Sequence, residues 1–233
     1  MLRIKDLRCS YGRIPVLTDV SIEVGNESVG LFGPNGAGKT TLINAIMGMV
    51  RPRGGSIDVD GSDITRLRTF EIARLGIALV PQERELFPGM SVADNLELGA
   101  AYIPHARDGM EKQLENVIGL FPILRERYRQ LVGTMSGGQQ RMVAIARALM
   151  ANPRLLILDE PSLGLQPSIV SEVFEKLAQL KAGVSILVTE QNVRESLRAI
   201  DRGYVLENGA IALSDTAEGL KTNPHVISSY LGI

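Results

Sequence analysis

The segment that most constrains this chain is a glycine-rich stretch between an apolar run and a helical run. Gly33–Thr40 reads Gly-Pro-Asn-Gly-Ala-Gly-Lys-Thr and directly follows the apolar run Val29–Phe32. Glycines let backbone N–H groups turn inward around phosphate oxygens, and the N-terminus of the following helix adds favourable partial charge. The stretch therefore predicts a phosphate-binding loop, and the flanking strand and helix disfavour the alternative of a glycine-rich turn without a ligand.

A phosphate-binding loop of this spacing assigns separate tasks to its side chains and its backbone. Lys39 would reach the β- and γ-phosphates of a nucleotide, and the Thr40 hydroxyl would ligate Mg²⁺. ATP and Mg²⁺ are therefore the expected cofactors. The residues predicted to bind nucleotide here are Gly33, Asn35, Gly36, Ala37, Gly38, Lys39, Thr40 and Thr41.

The apolar runs of the chain predict an α/β fold with a mostly parallel sheet. Four runs are typical of strands buried on both faces: Val29–Phe32, Ile77–Val80, Leu155–Leu158 and Val184–Val188. Helical stretches separate these runs, as expected for an α/β core. Shorter β-rich runs interrupted by turn residues, from Leu2 to Leu31 and at Ile57–Asp60, predict a small antiparallel layer.

The middle and the end of the chain differ from this core. Residues 86–151 show only helical periodicity, for example over Met110–Leu120 and Gln139–Met150. We therefore expect a single domain, 1–233, in which a helical subdomain (86–151) is inserted into a nucleotide-binding core (1–85 and 152–233). Near the end, Asn208-Gly209 between two apolar runs predicts a β-hairpin over Tyr204–Leu213.

Charge and hydropathy exclude several kinds of partner. The 25 basic and 26 acidic residues give a formal net charge of -1, which offers no electrostatic footprint for nucleic acid or anionic lipid. No apolar run approaches the roughly 18 residues needed to span a bilayer, and the first residues lack the apolar core of a signal peptide. We expect a cytoplasmic protein that binds no nucleic acid, does not insert into the membrane, and reaches it only through another protein. Cys9 is the only cysteine, so no internal disulfide forms.

Two carboxylates follow the apolar run Leu155–Leu158. Ligands of open α/β sheets bind at the carboxyl ends of the strands, which is where Asp159 and Glu160 are expected. Adjacent strand residues point to opposite faces, so the two acids can have separate tasks. Alone, such a pair is more often a solvated strand end. Beside a phosphate-binding loop, Asp159 suits the Mg²⁺ shell and Glu160 suits a base that polarises the attacking water.

A second anion-binding helix terminus is predicted at Ser136–Gln139. Ser136 is placed as an N-cap, and Gly137 and Gly138 expose backbone N–H groups at the start of the helix. In isolation the segment is more often a capped helix that binds nothing. The presence of the first phosphate-binding loop favours the anion-binding alternative.

The order of these motifs resembles that of the ATP-binding-cassette (ABC) ATPases over essentially the whole chain. Gly33–Thr40 is followed by Gln82, then by the family's signature segment Ser136–Gln139, then by Asp159 and Glu160. The resemblance implies a RecA-like sheet with an N-terminal antiparallel β layer and an inserted helical subdomain. It also implies a head-to-tail pair, identical or paralogous. Ser136, Gly137, Gly138 and Gln139 of one subunit would then cap the ATP held by the other.

The resemblance assigns two further residues. Tyr11 matches the aromatic residue that stacks on adenine, although a hairpin aromatic that covers the core remains an alternative. Gln82 matches the residue that links Mg²⁺ and the attacking water to the helical subdomain. Residues 83–95 would then face the transmembrane partner.

The chain departs from the family's pattern at two positions. Gln166 stands where the loop after Glu160 usually ends in an acidic residue. Gln191 occupies the expected place of the switch histidine, so it is the predicted catalytic residue there, with capping of the next helix as the alternative. The histidines, His105 and His225, lie far away in sequence and are expected on the surface.

Three C-terminal features resemble one subgroup, the shorter ATPase of bacterial branched-chain amino-acid importers and of related urea-type importers. These features are Glu190–Asn192, Asp201–Gly209 and Ser228–Gly232. The resemblance implies an ATPase on the inner face of the membrane that drives uptake through transmembrane permease subunits, with a substrate-binding protein. The alternatives are a non-transport ABC protein and a regulatory cassette that does not turn over; Glu160 argues against the latter.

Overall fold

The computed structural model describes residues 1–180, 183–191 and 193–231, and two of the subgroup residues named above, Asn192 and Gly232, lie outside these ranges. The strands in these ranges are β1 (Leu2–Tyr11), β2 (Ile14–Val24), β3 (Ser28–Phe32), β4 (Gly54–Val59), β5 (Ser62–Asp63), β6 (Ile77–Val80), β7 (Leu155–Asp159), β8 (Ser185–Glu190), β9 (Arg202–Glu207) and β10 (Ala210–Thr216). The helices are α1 (Lys39–Ile46), α2 (Thr69–Arg74), α3 (Val92–Ala101), α4 (Pro104–Arg107), α5 (Met110–Leu120), α6 (Ile123–Glu126), α7 (Gly137–Met150), α8 (Pro167–Leu180), α9 (Val193–Ser196), α10 (Ala217–Thr222) and α11 (Pro224–Val226). A 3₁₀ turn (Val132–Thr134) and a π-helical turn (Ile227–Leu231) complete the elements.

A six-stranded sheet in the order β10-β9-β3-β8-β7-β6 forms the centre of the fold. Its strands are parallel from β9 to β6, and β10 pairs with β9 in the antiparallel sense. The expected mostly parallel α/β sheet is therefore confirmed. The strand bounds differ by one or two residues: β3 begins at Ser28, β7 ends at Asp159, and β8 runs over Ser185–Glu190. β8 extends two residues past the predicted Val188 because Thr189 and Glu190 continue the ladder with β3.

A second, antiparallel sheet in the order β2-β1-β4-β5 confirms the predicted N-terminal layer. β4 begins at Gly54, three residues before the predicted Ile57, because Arg8 pairs with Gly54 and Lys5 with Ser56 across a register shift. Gly55 lies at that irregularity with φ +81°, a conformation that favours glycine.

Residues 86–151 contain α3 to α7 and the 3₁₀ turn, and no described strand. α3 packs on α7, and α5 also contacts α7, so α7 is the centre of this helical region. Its treatment as a subdomain inserted into the core formed by 1–85 and 152–233 remains a prediction.

The central sheet separates two hydrophobic cores. Leu155 and Ile157 of β7 pack with α1 and the antiparallel layer. Leu156 and Leu158 pack with α7, α8 and the other helices on the opposite face. Both faces of β7 are thus covered, which explains why its sequence is a continuous apolar run.

The predicted hairpin is formed by β9 and β10, which turn at Asn208 and Gly209. Both turn residues have positive φ, +50° and +79°, as the tight turn requires. The Gly209 N–H donates to the carbonyl oxygen of Ala37 (3.1 Å), and Thr18 N–H donates to the Gly209 carbonyl (2.8 Å). The hairpin therefore lies against the predicted phosphate-binding loop. Among the helices described, none combines the length and hydropathy needed to cross a bilayer.

Candidate active site

The predicted phosphate-binding loop connects β3 to α1 at the carboxyl end of the central sheet. Gly33 (φ +158°) passes so close to β9 that a Cβ atom would collide with the carbonyl oxygen of Leu206. Gly38 (φ +110°) is the N-cap of α1, and its Cβ would lie 2.6 Å from a methyl group of Leu17. Because Gly38 has no side chain, no side-chain group caps the first N–H groups of α1. They are therefore available to an anion, which fits a phosphate group.

Lys39 is the first residue of α1, and its ammonium group is almost fully buried, with 4% of the residue exposed. Nζ donates to the carbonyl oxygens of Gly33 (2.7 Å) and Pro34 (3.2 Å). It also forms an ion pair with Oε1 of Glu160, 3.0 Å away. The ammonium group is thus held at the loop, where a phosphate could bind it.

A cleft of about 390 Å³ opens over this loop. Of the residues predicted from sequence, the structure brings eight together as its lining: Asn35, Gly36, Gly38, Lys39, Thr40, Thr41, Gln82 and Glu160. Several others do not line it: Tyr11, Gly33, Ala37, Asp159, Gln191 and Ser136–Gln139. Within the cleft, Asn35, Gly36 and Thr40 are exposed, and the Thr40 side chain is accessible to a cation beside a bound phosphate.

The two carboxylates after β7 have different surroundings. Asp159 is buried, and its Oδ1 accepts a hydrogen bond from the Thr189 hydroxyl (2.6 Å). Glu160 adopts φ +44°, which is uncommon for a residue with a side chain, and its N–H donates to Oγ1 (3.0 Å) and O (3.2 Å) of Thr189. The strand end therefore directs Glu160 to Lys39 and leaves Asp159 against β8.

The residues present fit MgATP. Mg²⁺ is usually bound by one or two carboxylates together with substrate phosphates and waters. In the part of the chain that the structure describes, no group of three or more His, Cys, Asp or Glu side chains could hold a metal by itself. Thr40, Gln82 and Asp159 therefore remain the predicted ligands, and they would act together with the nucleotide.

The segment containing Gln82 is held by two arginines of α7. The Arg141 guanidinium donates to the carbonyl oxygens of Pro81 (3.0 Å) and Gln82 (2.9 Å). Arg147 donates in the same way to the carbonyl oxygen of Glu85 (2.8 Å). Burial lowers the pKa of both arginines, and Arg141 is only 1% exposed. α7 is thus joined to the segment containing Gln82 by hydrogen bonds to backbone carbonyl oxygens.

The start of α7 has the predicted capping geometry. Ser136 Oγ accepts from Gln139 N–H (3.4 Å), and Gln139 Oε1 accepts from Ser136 N–H (3.1 Å). Gly138 packs against α8, where a Cβ would lie 2.7 Å from Cγ2 of Ile169. This helix terminus does not line the cleft of its own chain, and nucleotide contact by Ser136–Gln139 remains a prediction.

Tyr11 and Gln191 are both on the surface. Tyr11 ends β1 opposite Ile14 and is 51% exposed, so it does not cover the core, and stacking on adenine remains its predicted role. Gln191 follows β8 and is exposed outside the cleft. Its catalytic role also remains a prediction.

Sequence reasoning missed three residues that organise the site: Arg141, Thr189 and Glu190. The carboxylate of Glu190 accepts from the N–H (2.9 Å) and the hydroxyl (2.8 Å) of Ser162. Each of these residues acts on a segment far away in sequence. One signal was available in the sequence. Arg141 stands within the mostly apolar helical run Gln139–Met150, and charged residues are seldom buried unless they are paired.

A family model described as "ABC transporter" matches residues 17–163. Over 234 residues, the chain is 46% identical to the high-affinity branched-chain amino acid transport ATP-binding protein BraG of Pseudomonas aeruginosa, with 100% of each chain covered. It is 39% identical to the lipopolysaccharide export system ATP-binding protein LptB of Acidithiobacillus ferridurans, over 100% of this chain and 97% of the relative. These relatives confirm the resemblance drawn from the motifs.

The fold is similar to that of a solved ATP-binding cassette of an ABC transporter in its ADP conformation. The two superpose with a TM-score of 0.88 at 29% sequence identity, over 100% of this chain and 99% of the solved one. The RecA-like architecture implied by the resemblance is confirmed by this match.

Proposed function

This chain belongs to the ABC transporter family and is an ATPase, and from that premise we propose that it powers uptake of branched-chain or similar amino acids through separate membrane subunits. The observation that supports an amino-acid importer is the 46% identity with BraG over the full length of both chains. The transported solute would contact a substrate-binding protein and the membrane subunits.

The residues of the cleft suit ATP binding. Lys39 would bind the β- and γ-phosphates, the loop N–H groups would surround them, and Thr40 with Asp159 and Gln82 would hold Mg²⁺. When bound, Mg²⁺ supplies neutralisation of the phosphate charge. Tyr11, exposed at the end of β1, would stack on adenine.

Glu160 is the proposed general base. Its carboxylate lies 3.0 Å from Lys39 Nζ. A γ-phosphate that binds Lys39 competes with Glu160 for the same ammonium group, because both are anions. Once displaced, the Glu160 carboxylate is available to accept a proton from the attacking water.

The position of Ser136–Gln139 suggests that a complete nucleotide site needs two cassettes. Ser136–Gln139 lie outside the cleft of their own chain but present a capped helix N-terminus suited to an anion. We infer that they close over the nucleotide of a second ABC ATPase subunit, identical or paralogous, in a head-to-tail pair. Hydrolysis by an isolated chain is then expected to be slow.

An apolar groove of about 430 Å³ is the proposed contact with a transmembrane permease. It lies between β6 and α3, and Met49, Phe87 and Tyr102 expose large apolar surfaces there. Exposed apolar patches of this kind are typical of protein–protein contacts. A permease segment seated in the groove would place this protein on the inner face of the membrane.

A second candidate function is export of lipopolysaccharide, favoured by the 39% identity with LptB over the whole chain. The test begins with a tagged chain purified from its native membranes together with the membrane subunits and the substrate-binding protein that bind it. The complex is reconstituted in proteoliposomes, and ATP-dependent uptake of radiolabelled leucine is measured, with Glu160→Gln as the matched control.

Uptake by the wild-type complex and none by the variant is the expected result. ATPase stimulation by lipopolysaccharide, without uptake of any amino acid, would favour the export function. Purification of the chain without any membrane subunit would contradict both transport functions.

A further inference from the structure

The end of β8 is joined to the loop that follows Glu160. Glu190, the last residue of β8, is 2% exposed, and its two carboxylate oxygens accept separate hydrogen bonds from one residue, Ser162. Oε1 accepts from the Ser162 N–H (2.9 Å) and Oε2 from the Ser162 hydroxyl (2.8 Å). Ser162 lies two residues after Glu160, so this contact holds the segment from which the proposed base projects.

The backbone at Glu160 needs such support. A non-glycine residue in the left-handed region is strained, and it persists only where surrounding contacts impose it. Glu160 has φ +44°. Thr189 accepts from its N–H, and Glu190 fixes Ser162 on the far side of the turn. Two consecutive residues of β8 therefore bracket the turn.

Burial of the Glu190 carboxylate is energetically unfavourable unless its charge is compensated. A buried charge needs hydrogen bonds and an opposite charge to be tolerated. Ser162 supplies two hydrogen bonds to Glu190, and the guanidinium of Arg141 interacts electrostatically with it. Arg141 in turn donates to the carbonyl oxygen of Gln82, which lines the cleft together with Glu160.

We propose that Glu190 is a positioning residue for ATP hydrolysis: by holding Ser162 against the end of β8, it fixes the turn that directs Glu160 into the cleft. The proposal rests on the role of Glu160 as the base. Because Gln191 directly follows Glu190, the same contact also sets where Gln191 lies relative to Glu160.

The experiment compares Glu190→Gln, Ser162→Ala and the double variant in the full chain, within the membrane complex. In Glu190→Gln the amide oxygen can still accept from the Ser162 N–H, but the amide NH₂ is satisfied only if the Ser162 hydroxyl turns to accept from it. The variant also removes the negative charge that faces Arg141, so the contact weakens and the loop shifts. A shift of about 1 Å at a reacting group can cost about 100-fold in rate, so we expect kcat to fall about 10- to 100-fold while the Kd for ATP changes by less than about twofold. Ser162→Thr, which keeps the hydroxyl, is expected to retain activity. The double variant is expected to lose no more than the worse single variant.

The matched control is a serine–glutamate pair outside the cleft, Ser171 and Glu195, whose hydroxyl-to-carboxylate distance is 3.3 Å. Ser171→Ala and Glu195→Gln should leave kcat unchanged. Wild-type kcat in Glu190→Gln and Ser162→Ala, with Glu160→Gln inactive, would overturn this inference and leave the base assignment standing. A fall in both ATP affinity and melting temperature in Glu190→Gln and Ser162→Ala would show that the contact is only structural. That result would also overturn the inference. Hydrolysis by Glu160→Gln at the wild-type rate would instead overturn the base assignment itself.

Discussion

Lys39 and Glu160 compensate each other's charge at the centre of the cleft. Both are nearly buried, and their charged groups lie 3.0 Å apart. A buried ammonium or carboxylate without an opposite charge is strongly destabilising. Substitution of Lys39 therefore has two effects, the loss of a phosphate-binding cation and an unpaired charge on Glu160.

Lys39→Ala is expected to abolish ATP binding at micromolar concentrations. The variant loses the cation that is held at the loop and predicted to bind the β- and γ-phosphates. Titration with a fluorescent ATP analogue measures this, and Lys112→Ala, at an exposed position on α5, is the control. Wild-type affinity in Lys39→Ala would contradict the phosphate-loop assignment.

Gln191 stands where the family has its switch histidine, and its amide can donate a hydrogen bond but cannot carry a positive charge. Loss of one transition-state donor typically costs about 10²- to 10³-fold in rate, so Gln191→Ala should reduce kcat by up to that amount. Gln191→His should keep or raise kcat. Steady-state ATPase of the membrane complex decides this. If both variants match the wild type, Gln191 only caps the following helix.

At the scale of elements, α7 joins three parts of the molecule. It begins at the signature segment, packs on α3, and through Arg141 and Arg147 holds the backbone of residues 81–85. A nucleotide bound at its N-terminus could therefore influence Gln82 in the same chain. This link consists of hydrogen bonds to backbone carbonyl groups, so it does not depend on which side chains residues 81–85 have.

Arg141→Met should lower the free energy of unfolding by about 2 to 4 kcal/mol, because two carbonyl groups lose charged donors worth roughly 1.5 to 3 kcal/mol each, partly offset by relief of desolvation. Chemical denaturation measures the change. Arg125→Met, which breaks the exposed ion pair with Glu115, is the control and should cost no more than about 1 kcal/mol. Equal effects of the two variants would contradict the role given to Arg141.

The elements that sequence predicts well are those defined by local pattern. The apolar run Leu155–Leu158 and the hairpin signal Asn208-Gly209 both correspond to observed strands and a turn. Contacts between distant segments are not visible in a single sequence. Thr189 and Glu190 look like ordinary residues at the end of a strand, and only the pairing of β7 with β8 places them beside Asp159 and Glu160.

At the scale of the whole molecule, the cleft and the apolar groove are separate surfaces. The segment that contains Gln82 and ends at Phe87 connects them. Gln82 lines the cleft, whereas Arg147 and Phe87 line the groove. Both arginines of α7 contact the segment that connects these surfaces. If a permease segment binds in this groove, as proposed, residues 82–87 would connect it to the nucleotide cleft.

Tyr102→Glu is expected to abolish the acceleration of ATP hydrolysis by membrane subunits and to leave the slow rate of the isolated chain unchanged. Tyr102 is 81% exposed at the groove, and a carboxylate there would oppose burial against an apolar helix. In the proposed complex the membrane subunits would accelerate hydrolysis by holding two cassettes at high effective concentration. Rates per cassette in detergent, with and without those subunits, measure the effect.

Tyr102→Phe keeps the apolar ring and is the matched control for this variant. It should be accelerated as strongly as the wild type. Full acceleration of Tyr102→Glu would show that the permease binds elsewhere on the surface.

The strand order of the central sheet also determines when the phosphate-binding loop can form during synthesis. β3 precedes the loop and is made early, yet both of its neighbours, β8 and β9, come from the last quarter of the chain. Gly209, later still, bonds to the loop at Ala37. At roughly 5 to 20 residues per second, the ribosome needs on the order of ten seconds or more between β3 and Gly209. A nascent chain arrested before β8 therefore has the loop's sequence without its support, and it should acquire nucleotide binding only after the last strands leave the ribosome.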